Sequence, residues 1–299
     1  MRTKINFKVG LDNDIESFVY NDEINSFKVS PNTSLRMIFG VNHKFINVKF
    51  GFSPKFLASD ESSKKGSTKT FKLAFNIFIK NWMQVFEFSN ISGYYIEDIS
   101  DNILNIIENS DYILLPDMKT RTFRGVTSYK FNDKFSIKSV INQSEIQRKS
   151  AGSFIPGFTY DYFKMSGSSS VQKFESVNLI LTAAYFYTFV IKKNWYFNLS
   201  AGPGMGVAFN NLLDDVDNNS NWTSAVIFDI KSHLGLGYNS ESFFGGISYN
   251  GTATSQDKES VVKFGSTRGV FNIFIGYRFK SPKAVDRSFN WVEDKFHIK

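Results

Sequence analysis

Any chemistry in a chain without cysteine falls to its histidines, carboxylates and hydroxyls. The histidines are His43, His233 and His297. Serine hydrolysis needs a histidine base within reach of the hydroxyl and a third polar group to hold the ring. His233 follows Ser232, and neighbours in a strand point to opposite faces, so the two are separated. Asp229 shares the face of His233, a pairing that reads as structural. His43 falls in a turn and His297 near the end of the chain. No catalytic residue is assigned, and the chain reads as a non-enzyme. Asp215, Asp217 and Asn219 have the first spacings of a calcium loop, but Ser220 stands where its glycine belongs and Val226 where its final glutamate belongs. A solvated acidic loop is the expectation. Without thiols or a completed calcium motif, no metal or other cofactor is expected.

What must position these residues is a set of strands. In residues 271–279, Phe271, Ile273, Ile275, Tyr277 and Phe279 take every second place, with Asn272, Phe274, Gly276 and Arg278 between them. This is a strand with one apolar face, ending in an aromatic as the closing strand of an outer-membrane barrel does. Phe, Tyr and Trp make up 17% of residues, yet the mean hydropathy is −0.22, which suits strands greasy on one side and polar on the other. The longest apolar run, 179–191, is broken by Thr182 and Thr188 and falls short of the ~20 residues of a spanning helix. A closed barrel is the other structure that satisfies every backbone group in a bilayer. A soluble sandwich shows the same alternation, but the long strands and terminal aromatic argue against it.

Tight turns at 42–44, 80–81, 132–133, 192–194 and 239–241 join alternating runs: 35–41 with 46–52, 71–79 with 82–88, 119–131 with 135–141, 177–190 with 195–207, and 223–237 with 243–250. With 154–162 and the closing strand, the expectation is an all-β fold: an antiparallel transmembrane barrel of about twelve strands with a closed lumen, fourteen being the alternative. Strand direction fails to alternate between Ile141 and Val177. Either 142–153 is no simple turn, or the region before Leu35 supplies one or more strands. Long connections at 53–69, 90–117, 210–221 and 251–265 belong to one rim. Within them Ile96, Ile99, Ile103 and Ile106 recur at helical spacing, which predicts a short amphipathic helix as a lid or docking element.

With the apolar face outward, Lys72, Glu87, Arg124, Lys138, Asp161, Asp229, Lys231, His233 and Arg278 point inward. Charges enclosed in a small barrel must be paired, so a self-neutralising fill is favoured over a water-filled pore. Gly202, Gly204 and Gly206 line the same inner face. The net charge of +7 is spread along the chain, with no basic, aromatic-studded block of a nucleic-acid footprint. No nucleic-acid partner is expected.

One segment stands apart. Gln143, Glu145, Gln147, Arg148 and Lys149 run into Ser150, Ala151, Gly152 and Ser153. This run resembles the signature Gln-x-Glu-x-Gln-Arg-Lys-Ser-Ala-Gly-Ser of a Bacteroidota outer-membrane barrel family classified as a domain of unknown function. Gly93-Tyr-Tyr-Ile-Glu-Asp98 and Leu115-Pro-Asp-Met-Lys-Thr-Arg121 resemble two further stretches of it, in the same order. The resemblance implies an outer-membrane barrel and brings no reaction or ligand. Gln143, Glu145, Gln147, Arg148, Lys149, Ser150 and Gly152 are the binding or plug candidates. Arg148 and Lys149 are expected to enter the barrel or its rim and pair with Glu87, Asp161 or Asp229; solvated loop cations are the alternative.

The chain thus divides into an N-terminal segment 1–33 able to supply a first strand, a barrel over 34–279, and a periplasmic tail 280–299 carrying Phe289, Trp291 and Phe296. That tail either binds something or is disordered. Met1-Arg-Thr-Lys has no apolar leader core after it, so an exported chain would be numbered here without its leader. The functional expectation is a non-enzymatic structural or accessory subunit in the outer membrane, embedded among its lipid and lipopolysaccharide with protein partners in the envelope. A narrow channel for a small solute is the runner-up, and a lipid-modifying enzyme using Ser232 and His233 the third reading.

Overall fold

Alternation becomes architecture once the strands find partners. The computed structural model describes residues 4–21, 26–33, 35–57, 62–97, 112–167, 173–213, 220–257 and 263–296. Its strands are β1 (Lys4–Asn21), β2 (Ser26–Ser30), β3 (Arg36–His43), β4 (Ile46–Phe52), β5 (Lys69–Ile79), β6 (Trp82–Glu97), β7 (Ile113–Tyr129), β8 (Ala151–Ser166), β9 (Lys173–Ile191), β10 (Trp195–Leu213), β11 (Ser220–Asn239), β12 (Phe243–Gln256) and β13 (Lys263–Lys280). The helices are α1 (Ser62–Lys65), α2 (Ile137–Ile141) and α3 (Lys283–Phe296).

All of these strands except β2 form a closed, twelve-stranded antiparallel wall. It closes where β1 pairs with β13 from Lys4↔Lys280 to Asn21↔Lys263. A closed ring leaves no unpaired edge. The ladder of β1 with β3 stops at Asp12↔Arg36, so above it the short β2 fills the gap, pairing with β1 and with β6.

Two expectations change here. Residues 135–141 do not form a strand. Phe135, Ile137, Ser139 and Ile141 alternate, but Ser136 caps a helix instead, its side chain accepting from Ser139 N at 3.2 Å. Phe135, Ile137 and Val140 then pack on Phe78, Met83 and Ile155, burying apolar surface that a strand would have turned half outward. The missing strand is β1, so the barrel begins at Lys4 and not at residue 34. With β1 in and 135–141 out, strand directions alternate throughout.

The long connections are shorter than the sequence suggests because the strands overrun them. β6 continues to Glu97, β7 begins at Ile113, and β10 and β12 reach Leu213 and Gln256. A β-bulge falls between Ser92 and Tyr94, where Gly93 takes φ +86 and a β-carbon would strike Ser67 O. Ile96 lies in β6; Ile99, Ile103 and Ile106, with the acidic loop 214–219, lie outside the described residues.

The outer surface is apolar, with Leu181, Met205, Ile230 and Ile275 more than half exposed. At the short-turn ends of the strands, Trp82 stacks edge-on to Tyr129 (4.9 Å between centroids) and Trp195 to Tyr238 (5.4 Å). Such an aromatic belt marks the level where an apolar wall meets an interface. Beyond it the region called a tail is helical. In α3, Phe289 sits against His43 (4.6 Å) and Phe45 (5.6 Å), and Glu293 accepts from Lys44 at 2.7 Å.

Candidate functional site: the filled lumen

Three layers occupy the barrel's interior. Nearest the long connections, Phe18, Ile91, Tyr94, Met118, Phe163 and Phe174 pack into one buried cluster, with Val29 of β2 above. Tyr94 is satisfied inside it by Thr120, oxygen to oxygen 2.5 Å.

The middle layer is ionic. Asp12, Asp14 and Glu16 take alternate places on β1, so all three aim inward. Asp14 is the hub: Arg268 Nε donates to its Oδ1 at 2.9 Å, while Arg36 at 2.9 Å and Lys72 at 2.6 Å reach Oδ2. Arg36 also grips Asp12 with two hydrogen bonds of 2.7 and 2.8 Å. Arg268 continues to Glu87 at 2.7 Å, Arg124 lies 3.7 Å from Glu16 and is the register partner of Asp161, and Lys49 lies 3.5 Å from Asp12. Across the lumen Lys231 pairs with Asp229 at 3.2 Å and donates to Thr159 at 2.8 Å. The named carboxylates equal the named cations in number. A buried charge without its partner is costly, and here each is balanced.

The third layer is the segment between β7 and β8. α2 turns into the mouth of the barrel, and Gln143, in the left-handed region at φ +56, carries the chain back out. Its side-chain carbonyl accepts from Lys8 Nζ at 2.9 Å, and its backbone carbonyl accepts from Arg278. Arg278 also donates to Asn239 at 2.6 Å and lies over the ring of Phe244 at 4.5 Å, a cation–π arrangement. Asn42 donates to Asn142 O at 3.4 Å and Asn239 to Glu145 O at 3.0 Å, so strands on several sides hold the segment.

Lys72, Glu87, Arg124, Asp161, Asp229, Lys231, His233 and Arg278 therefore all reach the interior. The ionic layer also draws on Asp12, Asp14, Glu16, Arg36, Lys49 and Arg268, which sequence reasoning missed. Asp12, Asp14 and Glu16 at every second position were the available signal. His233 does not pair with Asp229: its Nδ1 meets Asn250 Oδ1 at 2.8 Å, while Asp229 takes Lys231. Ser232 is exposed on the other face, so hydroxyl and base are not brought together.

The plug candidates divide. Gln147 is a brace, accepting from Ser136 N at 2.7 Å and donating to Lys134 O and Lys149 O, both at 2.8 Å. Glu145 accepts from Ser136 Oγ at 2.6 Å and lies 3.4 Å from Lys138. Ser150 Oγ accepts from Val190 N at 2.9 Å, and Gly152 O from Asn132 at 2.7 Å. Arg148 and Lys149 do not enter. Arg148 pairs with Glu241 in the β11–β12 turn, and Lys149 is exposed. By the time the chain reaches them it has left the mouth for β8, so Glu87, Asp161 and Asp229 are beyond their reach. Residues that could hold a metal do not cluster among the described residues.

The family model described as "Domain of unknown function (DUF4421)" matches residues 2–279. No curated protein sequence matches the chain. Similar solved structures include the outer-membrane-expressed OmpT of Vibrio cholerae, 8% identical over 91% of this chain and 98% of that one, with a TM-score of 0.37. The translocator domain of the autotransporter NalP from Neisseria meningitidis is 8% identical over 91% and 88%, with a TM-score of 0.38. The Pseudomonas putida toluene transporter TodX is 9% identical over 92% and 89%, with a TM-score of 0.31.

Proposed function

The chain belongs to the family described as a domain of unknown function, DUF4421, and from that premise we propose that it is a non-conducting outer-membrane barrel serving as a structural or accessory subunit of a larger envelope assembly. One observation carries the reading: the lumen is filled at three levels by an apolar cluster, a balanced ionic layer and the Gln143 segment. A transporter must let its cargo pass, and here each level is packed or paired.

The apolar outer wall and the aromatic belt support an outer-membrane address among lipid and lipopolysaccharide. A Bacteroidota source, with the run 143–153 as a family signature, belongs to the same reading. So does the absence of chemistry of its own, supported by the separation of Ser232 from His233.

A narrow channel is the second reading. Two interior cavities of about 230 and 210 Å³ adjoin at Asn250 and Thr252, room for several waters each at ~30 Å³ per water. The deciding experiment extracts the protein from native outer membranes in mild detergent, through a tag in a surface loop, and identifies companions by mass spectrometry. Stoichiometric partners are expected. A lone barrel that gives steady single-channel conductance in planar bilayers would replace this reading with the channel.

A further inference from the structure

The outer wall carries a furrow of about 780 Å³ that crosses β7 to β11. Its floor is a row of outward residues with little side chain, Pro156, Ala183 and Pro203, and Leu181, Met205 and Phe228 stand along one bank. Pro156↔Ala183 and Pro203↔Ile230 are register partners, so the row follows the hydrogen-bonding direction from strand to strand. With strands tilted ~35–45° in such a barrel, it descends obliquely from the belt at Trp82 and Tyr129 into the apolar wall. The prolines also interrupt the wall's own bonding. The β9–β10 ladder holds Ala201↔Tyr185 and Gly204↔Thr182 but neither position between them, because Pro203 has no N–H for the Ala183 carbonyl. The β7–β8 ladder stops at Ser128↔Gly157, and one position further Pro156 has none for the Tyr129 carbonyl. Two carbonyls along one furrow therefore lack their ladder donors, at a level where hydrocarbon supplies none.

We infer that the furrow seats one lipid acyl chain that carries a hydroxyl, the chain lying along Pro156, Ala183 and Pro203 and the hydroxyl donating to the Ala183 or the Tyr129 carbonyl. The inference rests only on the outer-membrane address in the reading above and adds a ligand to it. Position names the hydrocarbon, since the floor lies on the apolar side of the belt. Four strand spacings of ~4.8 Å separate Trp82 from Pro203, about 19 Å, against the ~15 Å that one leaflet contributes to the hydrocarbon core. The bare carbonyls name the substituent: a plain chain has no donor for them, and a hydroxylated one has. A second barrel is a poor occupant, because its convex wall would rest on Leu181, Met205 and Phe228 and leave the floor and its carbonyls unfilled. The volume falls within the range of formed ligand pockets.

The test uses the full chain folded into phosphatidylcholine vesicles, with its four tryptophans changed to phenylalanine and one reporter added. Leu181→Trp reports on the furrow, and Ile275→Trp on the wall outside it. Flotation with the vesicles and heat-shifted gel bands check insertion and folding. Dibromostearic acid, which quenches tryptophan on contact, is titrated in and then displaced by stearic or by 12-hydroxystearic acid. Saturable quenching at Leu181→Trp is expected at quencher levels that leave Ile275→Trp bright, with the hydroxy acid displacing at about fivefold lower concentration than the plain one. Ala183→Phe, which fills the floor, should abolish the excess quenching. Pro203→Ala gives the Ala183 carbonyl its N–H, and Pro156→Ala does the same for Tyr129; at least one of them should keep the chain bound while erasing the preference for the hydroxyl. Equal quenching at both reporters would make the furrow ordinary lipid-covered wall and overturn the site. Equal displacement by the two acids would overturn the hydroxylated ligand, and a dimer that shields Leu181→Trp from quencher would hand the furrow to a second copy. In each of these cases the membrane address stands, whereas a chain that does not float with the vesicles sinks the address and the site together.

Discussion

Gly204 of β10 and Asp229 of β11 are register partners, and the carboxylate lies across the glycine so closely that a β-carbon there would overlap Asp229 Oδ1. The missing side chain is the space in which the Asp229–Lys231 pair sits. Gly204→Ala should therefore cost about 1–3 kcal/mol by overpacking, read as a lower urea midpoint in micelles. The cost should shrink when Asp229 is shortened to serine in the same chain, because contacting sites do not add. Full additivity would show that the two are not coupled.

Asp14 holds three cations with one carboxylate, so its loss should be felt more than that of any single partner. Asp14→Asn leaves Arg36, Lys72 and Arg268 facing one another without their hub, a change expected to destabilise by about 3–5 kcal/mol. Chemical denaturation of the folded barrel would report it. A shift no larger than that of a surface carboxylate such as Asp133→Asn would contradict the hub.

The segment that enters the short-turn mouth is one closure among three. Replacing residues 133–150 by a short Gly-Ser turn should leave bilayer conductance absent, because the layer of Phe18, Tyr94 and Phe163 still closes the other end. Adding Tyr94→Ala and Met118→Ala should still leave the bilayer silent, because the ionic layer around Asp14 spans the middle of the lumen. Conductance from the first variant alone would make the segment the sole stopper.

Phe289 is the anchor of α3, wedged between His43 and Phe45. Phe289→Ala should release residues 283–296 to rapid amide exchange while β3 and β4 keep their protection. Hydrogen exchange with mass spectrometry resolves the two. Retained protection in α3 would shift the anchoring role to the Lys44–Glu293 pair.

The wall was legible because period-two alternation is what a barrel demands of every strand, and the inward charges Lys72, Glu87, Arg124, Asp161, Asp229, Lys231, His233 and Arg278 followed from the same rule, whereas Lys138, expected among them, rides on the helix α2 beside Glu145. β1 was harder to see. Asp12, Asp14 and Glu16 put three carboxylates on one face, which reads as solvated chain until Arg36, Lys72 and Arg268 from distant strands are placed against them. Residues 135–141 misled for the opposite reason: their spacing fits a strand, and the helix is selected by the Ser136 cap and by burial against Phe78 and Ile155. The plug segment was legible as unusual, yet Gln143 and not Arg148 reaches inside. The difference is where the chain turns, and the left-handed backbone at Gln143 gave no mark in the letters.

The seam between β1 and β13 joins the first strand to the last, Lys4 to Lys280. A contact spanning nearly the whole sequence is the slowest kind to form, and until it forms both edges are bare and able to template mispairing. The wall can therefore be completed only after the last strand has been delivered, which makes its assembly a single late event and leaves any chain cut short before β13 without a way to shut.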